Sequence, residues 1–67
     1  DGLSALRTLI EGAPGHLQAG AWLLLEHGYD QAEPVAAALR ARGFTELSLR
    51  CDLGQQPRVS GGRWPMR

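Results

Sequence analysis

Five consecutive apolar residues, Ala21 to Leu25, stand between Gly20 and Gly28. No other feature constrains the chain as tightly. The run is too short for a helix of its own, and it shows no polar alternation, so it reads as a strand with both faces buried. Two dry faces imply helices on both sides of a sheet, an arrangement usual in parallel α/β folds. The sequence on either side supplies helices. Leu3, Leu6, Leu9, Ile10 and Ala13 recur at spacings of three and four, which predicts an amphipathic helix from about Leu3 to Ala13. Asp1 or Ser4 is expected to cap it, and Gly12, Pro14 and Gly15 to end it. A second helix is expected from Gln31 or Pro34 to Arg42, with Val35, Ala38 and Leu39 as its apolar stripe. Asp30 and Glu33 have capping-box spacing, while Pro34 favours a start capped by Glu33. Gly43 suits the left-handed residue just past its end.

The rest of the chain reads as sheet. Thr45, Leu47, Leu49 and Cys51 alternate with Glu46, Ser48, Arg50 and Asp52, the pattern of a strand with one dry and one wet face. Leu53 to Pro57 forms a turn, and a last strand runs from Arg58 to Trp64, weakened by Gly61-Gly62. The short connection makes these two strands an antiparallel hairpin or close neighbours. The order helix, strand, helix, strand, strand contains one crossover unit, so the strands at 21–26 and 45–52 should be parallel. Whether the last strand extends the sheet or inserts between those two stays open at this level. Ligands of open α/β sheets bind at the carboxyl ends of the strands. Here that end carries Glu26, His27, Gly28, Tyr29 and Asp30.

Composition narrows the function classes. The chain has 67 residues, seven arginines against seven acids, and no net charge. A single α/β unit over 1–67 is expected, with 64–67 as a flexible tail and Trp64 exposed in it. Nucleic-acid binding needs clustered positive charge, and Arg58, Arg63 and Arg67 make only a thin, solvated basic tail. The longest apolar run falls well short of the roughly 20 residues of a membrane span. No signal peptide is visible, and the single cysteine forbids an internal disulfide, so a cytoplasmic chain is expected. Cys51, on the apolar side of its strand, is expected to be a buried, inert thiol. Trp22 is expected in the core or against a helix. His16 lies in a loop without further ligands at metal-binding spacing, so no metal site is expected. Glu26 and His27 form the one acid–base pair at a strand end. They are read as weak substrate-side candidates, against a bland alternative in which Glu26 bonds loop backbone and His27 packs at the sheet end.

The stretch Trp-Leu-Leu-Leu-Glu-His-Gly-Tyr-Asp-Gln at 22–31 resembles the signature after the fifth strand of HemK-type methyltransferases. These enzymes methylate the side-chain amide of a glutamine in peptide-chain release factors. Asp1-Gly2-Leu3, Arg42-Gly43-Phe44, Asp52-Leu53-Gly54 and Pro57-Arg58-Val59 resemble flanking segments of the same family, and the likeness covers residues 1 to 63. The resemblance implies the C-terminal part of a class I, Rossmann-like fold, with the last strand antiparallel and lying between the other two. It also implies S-adenosylmethionine as cofactor and a release factor as partner for the whole enzyme. The family's Gly-rich cofactor loop and its Asn-Pro-Pro-Tyr motif do not occur in these 67 residues. No catalytic and no cofactor-binding residue is therefore assigned here. The isolated chain is expected to bind no cofactor and to be inactive. The alternative is a small non-enzymatic interaction module, dimerising through the strand at 21–26.

Overall fold

The computed structural model describes residues 2–65. Helix α1 spans Gly2–Gly12 and runs into a single 3₁₀ turn at Ala13–His16, where Pro14 stands in the first turn. Strand β1 spans Trp22–Glu26. A short 3₁₀ turn, Tyr29–Gln31, leads into α2, Ala32–Arg42. Strands β2, Thr45–Cys51, and β3, Pro57–Arg63, complete the chain. The sheet order is β1-β3-β2, and β3 runs antiparallel to both neighbours. β1 and β2 thus point the same way with β3 inserted between them. This is the arrangement the family likeness implied. Among the described residues no helix is long and apolar enough to cross a membrane.

The ends of α2 show why the helix starts and stops where it does. Gln31 folds back so that its side-chain oxygen accepts from the Gly28 backbone N–H at 2.8 Å, while its own N–H donates to the Gly28 carbonyl at 3.0 Å. Neither Asp30 nor Glu33 caps the helix as the spacing suggested. Pro34 falls in the first turn, where backbone N–H groups have no intrahelical partner and a proline costs nothing. At the other end Gly43 takes φ 109°, its N–H donating to Arg40, and the Phe44 N–H donates to Leu39. That pair of bonds is a Schellman motif, and it drives Phe44 into the core beside Leu39. Ser4 lies inside α1 and does not cap it, its carbonyl accepting from the Thr8 hydroxyl. Asp1, the other expected cap, lies outside the described residues.

Ile10, Leu25, Val35, Leu39 and Phe44 form the buried core, with Leu3, Leu6, Ala13, Leu17, Leu23, Leu47 and Trp64 packed around it. Both helices therefore lie on the sheet face that carries Leu23 and Leu25. The expectation that β1 is dry on both sides does not hold. Trp22 is 46% and Leu24 57% exposed, because no described element covers their face. The Arg63 guanidinium lies 5.9 Å from the Trp22 ring centre. Leu9, assigned to the apolar stripe of α1, is also exposed.

β2 departs from its alternating pattern for a different reason. Thr45 pairs with Arg63 and Ser48 with Gly61, so Glu46 and Leu47 together oppose Gly62. This is a bulge, and Glu46 takes the extra turn with φ 51°. A second irregularity falls between Arg50 and Cys51. Leu47 still packs on the core, but Leu49 and Cys51 emerge at the sheet edge. Cys51 is thus an exposed free thiol and not the buried one expected.

Gly61 and Gly62 do not weaken the last strand. They sit in the central strand, both buried, and neighbours occupy the space their side chains would need. Leu24 and Ser48 close over Gly61 on one face, and Phe44 and Leu47 over Gly62 on the other. The expected tail at 64–67 lies half outside the described residues. Of its described part, Trp64 is half-buried, its ring edge-on to Phe44 with centroids 5.1 Å apart. Arg58 and Arg63 belong to β3 and hold carbonyl and carboxylate partners, and Arg67 lies outside the described residues.

Candidate functional site

The carboxyl ends of β1 and β2 and the start of β3 meet at one end of the sheet. Glu26 is opposite Val59, which is in turn opposite Arg50, so these three residues share the uncovered face. His27 follows on the covered side and is 9% exposed. Its backbone N–H donates to the Arg58 carbonyl at 2.9 Å, carrying the β1–β3 ladder one residue past the strand. Its ring lies between two oxygens: Nδ1 is 2.8 Å from the Gly28 carbonyl and Nε2 is 2.7 Å from the Ser60 hydroxyl. A carbonyl only accepts, so Nδ1 donates to Gly28, while Nε2 and the Ser60 hydroxyl share a hydrogen bond that the hydroxyl can make in either direction. Glu26 and His27 are neighbours in sequence that leave the strand on opposite faces. The structure does not bring them together as an acid–base pair.

Beside them the 52–58 turn is closed by one carboxylate. Asp52 accepts from the Gly54 and Gln56 backbone N–H groups at 2.9 and 3.0 Å, and its other oxygen accepts from Arg58 Nε at 3.0 Å. Gln55 fits this tight path with φ 66°. The Gln56 N–H, then the Arg58 guanidinium, hold the Asp52 carboxyl below the ordinary aspartate range. A depressed pKa in the folded state means stability that is present at neutral pH and lost as pH falls through the folded value. Asp52→Asn is therefore expected to flatten the acid limb of the unfolding profile below about pH 4. An acid limb that is the same in both proteins would show that this carboxylate does not couple to folding. Arg58 also lies 5.8 Å from the ring centre of Tyr29, which is exposed. His16 lies in the 3₁₀ turn after α1. It lines a hollow of about 400 Å³ between α1 and β1 with Leu9, Leu23 and Leu25.

Sequence reasoning missed Ser60, Gln31 and Asp52 as members of this site. Ser60 gave one signal, a small polar residue beside two glycines in a strand, but its partner depends on the β1–β3 register. Asp52 followed by Gly54 at the end of a strand is a recognisable side-chain-closed turn.

A three-stranded piece of α/β sheet with an inserted antiparallel strand, both helices on one face, is consistent with the C-terminal part of a methyltransferase fold. The chain is 49% identical over 65 residues to a release factor glutamine methyltransferase of Burkholderia pseudomallei, covering 97% of this chain and 23% of that relative. It is 48% identical over 65 residues to the one from Xylella fastidiosa, covering 97% and 24% respectively. With the Pseudomonas aeruginosa protein of the same description it shares 47% over 64 residues, covering 96% and 23%. No family model matches the chain. The chain is similar over nearly its whole length to release factor glutamine methyltransferases and spans about a quarter of the length of these relatives.

Proposed function

We propose that this chain completes the sheet of an S-adenosylmethionine-dependent enzyme that methylates a glutamine side-chain amide in a peptide-chain release factor in the cytoplasm. The observation that carries this reading is the 49% identity over 65 residues, nearly the whole chain. An amide nitrogen is a weak nucleophile, because its lone pair is delocalised into the carbonyl. The enzyme's main task is to hold that nitrogen in line with the methyl group, and positioning of this kind removes much of the barrier. This portion contributes rigid strand ends to the substrate side, with Glu26 and His27 placed there. Cofactor and amide are held by the rest of the enzyme. Among the described residues β1 pairs with β3 on one side only, and its other edge and the Trp22 and Leu24 face are assigned to that remainder rather than to a second copy of the chain.

The test is a chimera in which residues 1–67 replace the matching segment of the Burkholderia pseudomallei relative. With S-adenosylmethionine and a release factor it is expected to add one methyl group to a single glutamine, read by mass spectrometry. The 67-residue chain alone is expected to add none. A folded chimera without transfer, or turnover by the chain alone, would overturn the reading.

A further inference from the structure

Building on that reading, we infer that the turn at 26–31 is a pre-formed docking element for the polypeptide substrate. Tyr29 and Arg58 are its contact pair, and His27, Ser60 and Gln31 are positioning residues. Five hydrogen bonds hold this short turn. They are His27 N–H to Arg58, Nδ1 to Gly28, Nε2 with Ser60, Gly28 N–H to the Gln31 side chain, and Gln31 N–H to Gly28. Two of them are made by the His27 ring, one of these with Ser60, and both residues are buried where the neighbouring inward residues of β1, Leu23 and Leu25, are apolar. An apolar pair at 27 and 60 would fill the same space without polar groups to satisfy. What the polar pair adds is a fixed orientation of the turn.

That orientation presents Tyr29. The residue is 57% exposed, yet its ring is steadied by the Arg58 guanidinium, itself tied to Asp52. Tyrosine and arginine are the residue types that most often anchor protein interfaces. Ordering them before the partner arrives lowers the entropy lost on binding. The charges argue against a phosphate-bearing ligand, since Arg58 is already matched by Asp52 and the turn itself contributes Glu26 and Asp30, which outweigh Arg50 on the same face as Glu26. The turn fits instead a polypeptide that offers an apolar contact to the Tyr29 ring and a basic side chain to the two carboxylates.

The chimera described above tests this. Tyr29→Ala and Gln31→Ala are each expected to raise KM for the release factor about tenfold, the loss typical of an interface anchor. KM for S-adenosylmethionine and kcat should stay within about twofold, and the melting temperature within a few degrees. Gln31→Glu keeps an acceptor for the Gly28 N–H and should restore most of the affinity. His27→Phe gives the same KM shift if it folds, and Gln31→Ala answers the question if it does not. An unchanged KM for the release factor in an active Tyr29→Ala chimera overturns the docking role, as does a rise confined to the cofactor's KM. An inactive parent chimera overturns the proposed function, and the docking role with it.

Discussion

Replacing Gly61 with alanine is expected to destabilise the chain by about 1–3 kcal/mol, the usual cost of forcing an extra methyl group into a packed interior. A Cβ on Gly61 would stand 2.5 Å from Leu24 Cδ2 and 2.7 Å from the Leu23 carbonyl oxygen. The leucine side chain can rotate away. The carbonyl cannot, because it belongs to the backbone of the paired strand. β3 is hydrogen-bonded on both sides, so a shift at Gly61 has to move β1, β2 or both. In a domain of this size 1 kcal/mol corresponds to roughly 4–8 °C in Tm. Gly15→Ala is the control, since nothing lies within 4 Å of a Cβ there. It should stay within about 0.5 kcal/mol of the parent, as exposed substitutions do. Thermal unfolding followed by circular dichroism measures both. Equal Tm values for the Gly61→Ala and Gly15→Ala variants would mean that the strands around Gly61 are not held as closely as the structure shows.

The same two glycines show where the sequence was informative and where it was not. Helix periodicity placed α1 and α2 to within a residue or two, and Gly43 announced the left-handed stop that the Schellman bonds confirm. These are local effects, set by residues a few positions apart. Gly61 and Gly62 have the opposite local meaning, a weak strand, and only the neighbours on β1 and β2 reverse it. The bulge at Glu46 and Leu47 is likewise invisible in an alternating pattern, because the register is set by the partner strand. The apolar run at 21–25 was read correctly as a strand, but its second dry face has no covering element in the described residues. Glu26 ends β1 and His27 follows it, as the sequence order implies. Strand geometry then sends them to opposite faces, and of the two partners of the His27 ring one, Gly28, is its chain neighbour while the other, Ser60, comes from elsewhere in the fold.

Trp64→Ala is expected to cost about 2–3 kcal/mol, somewhat less than the 3–5 kcal/mol of a fully buried aromatic because the residue is only partly buried. The residue carries the β1–β3 pairing past the end of both strands. Its N–H donates to the Ala21 carbonyl and its carbonyl accepts from the Gly20 N–H, each at 2.8 Å. Those bonds survive the substitution, so the expected loss is that of the side chain alone. The ring meets Phe44 edge-on, lies under the Arg42 guanidinium at 5.7 Å, and covers the Gly43 turn. It is therefore the lid over the C-terminal end of α2. A chain this short draws only about 3–5 kcal/mol from its core, so removing the lid should take half of the stability or more. Trp64→Phe keeps an aromatic edge on Phe44 and should lose less than half as much. Urea unfolding of the three proteins separates these outcomes. A midpoint for Trp64→Ala indistinguishable from that of the parent would place the indole outside the core and return residue 64 to the tail that the sequence suggested.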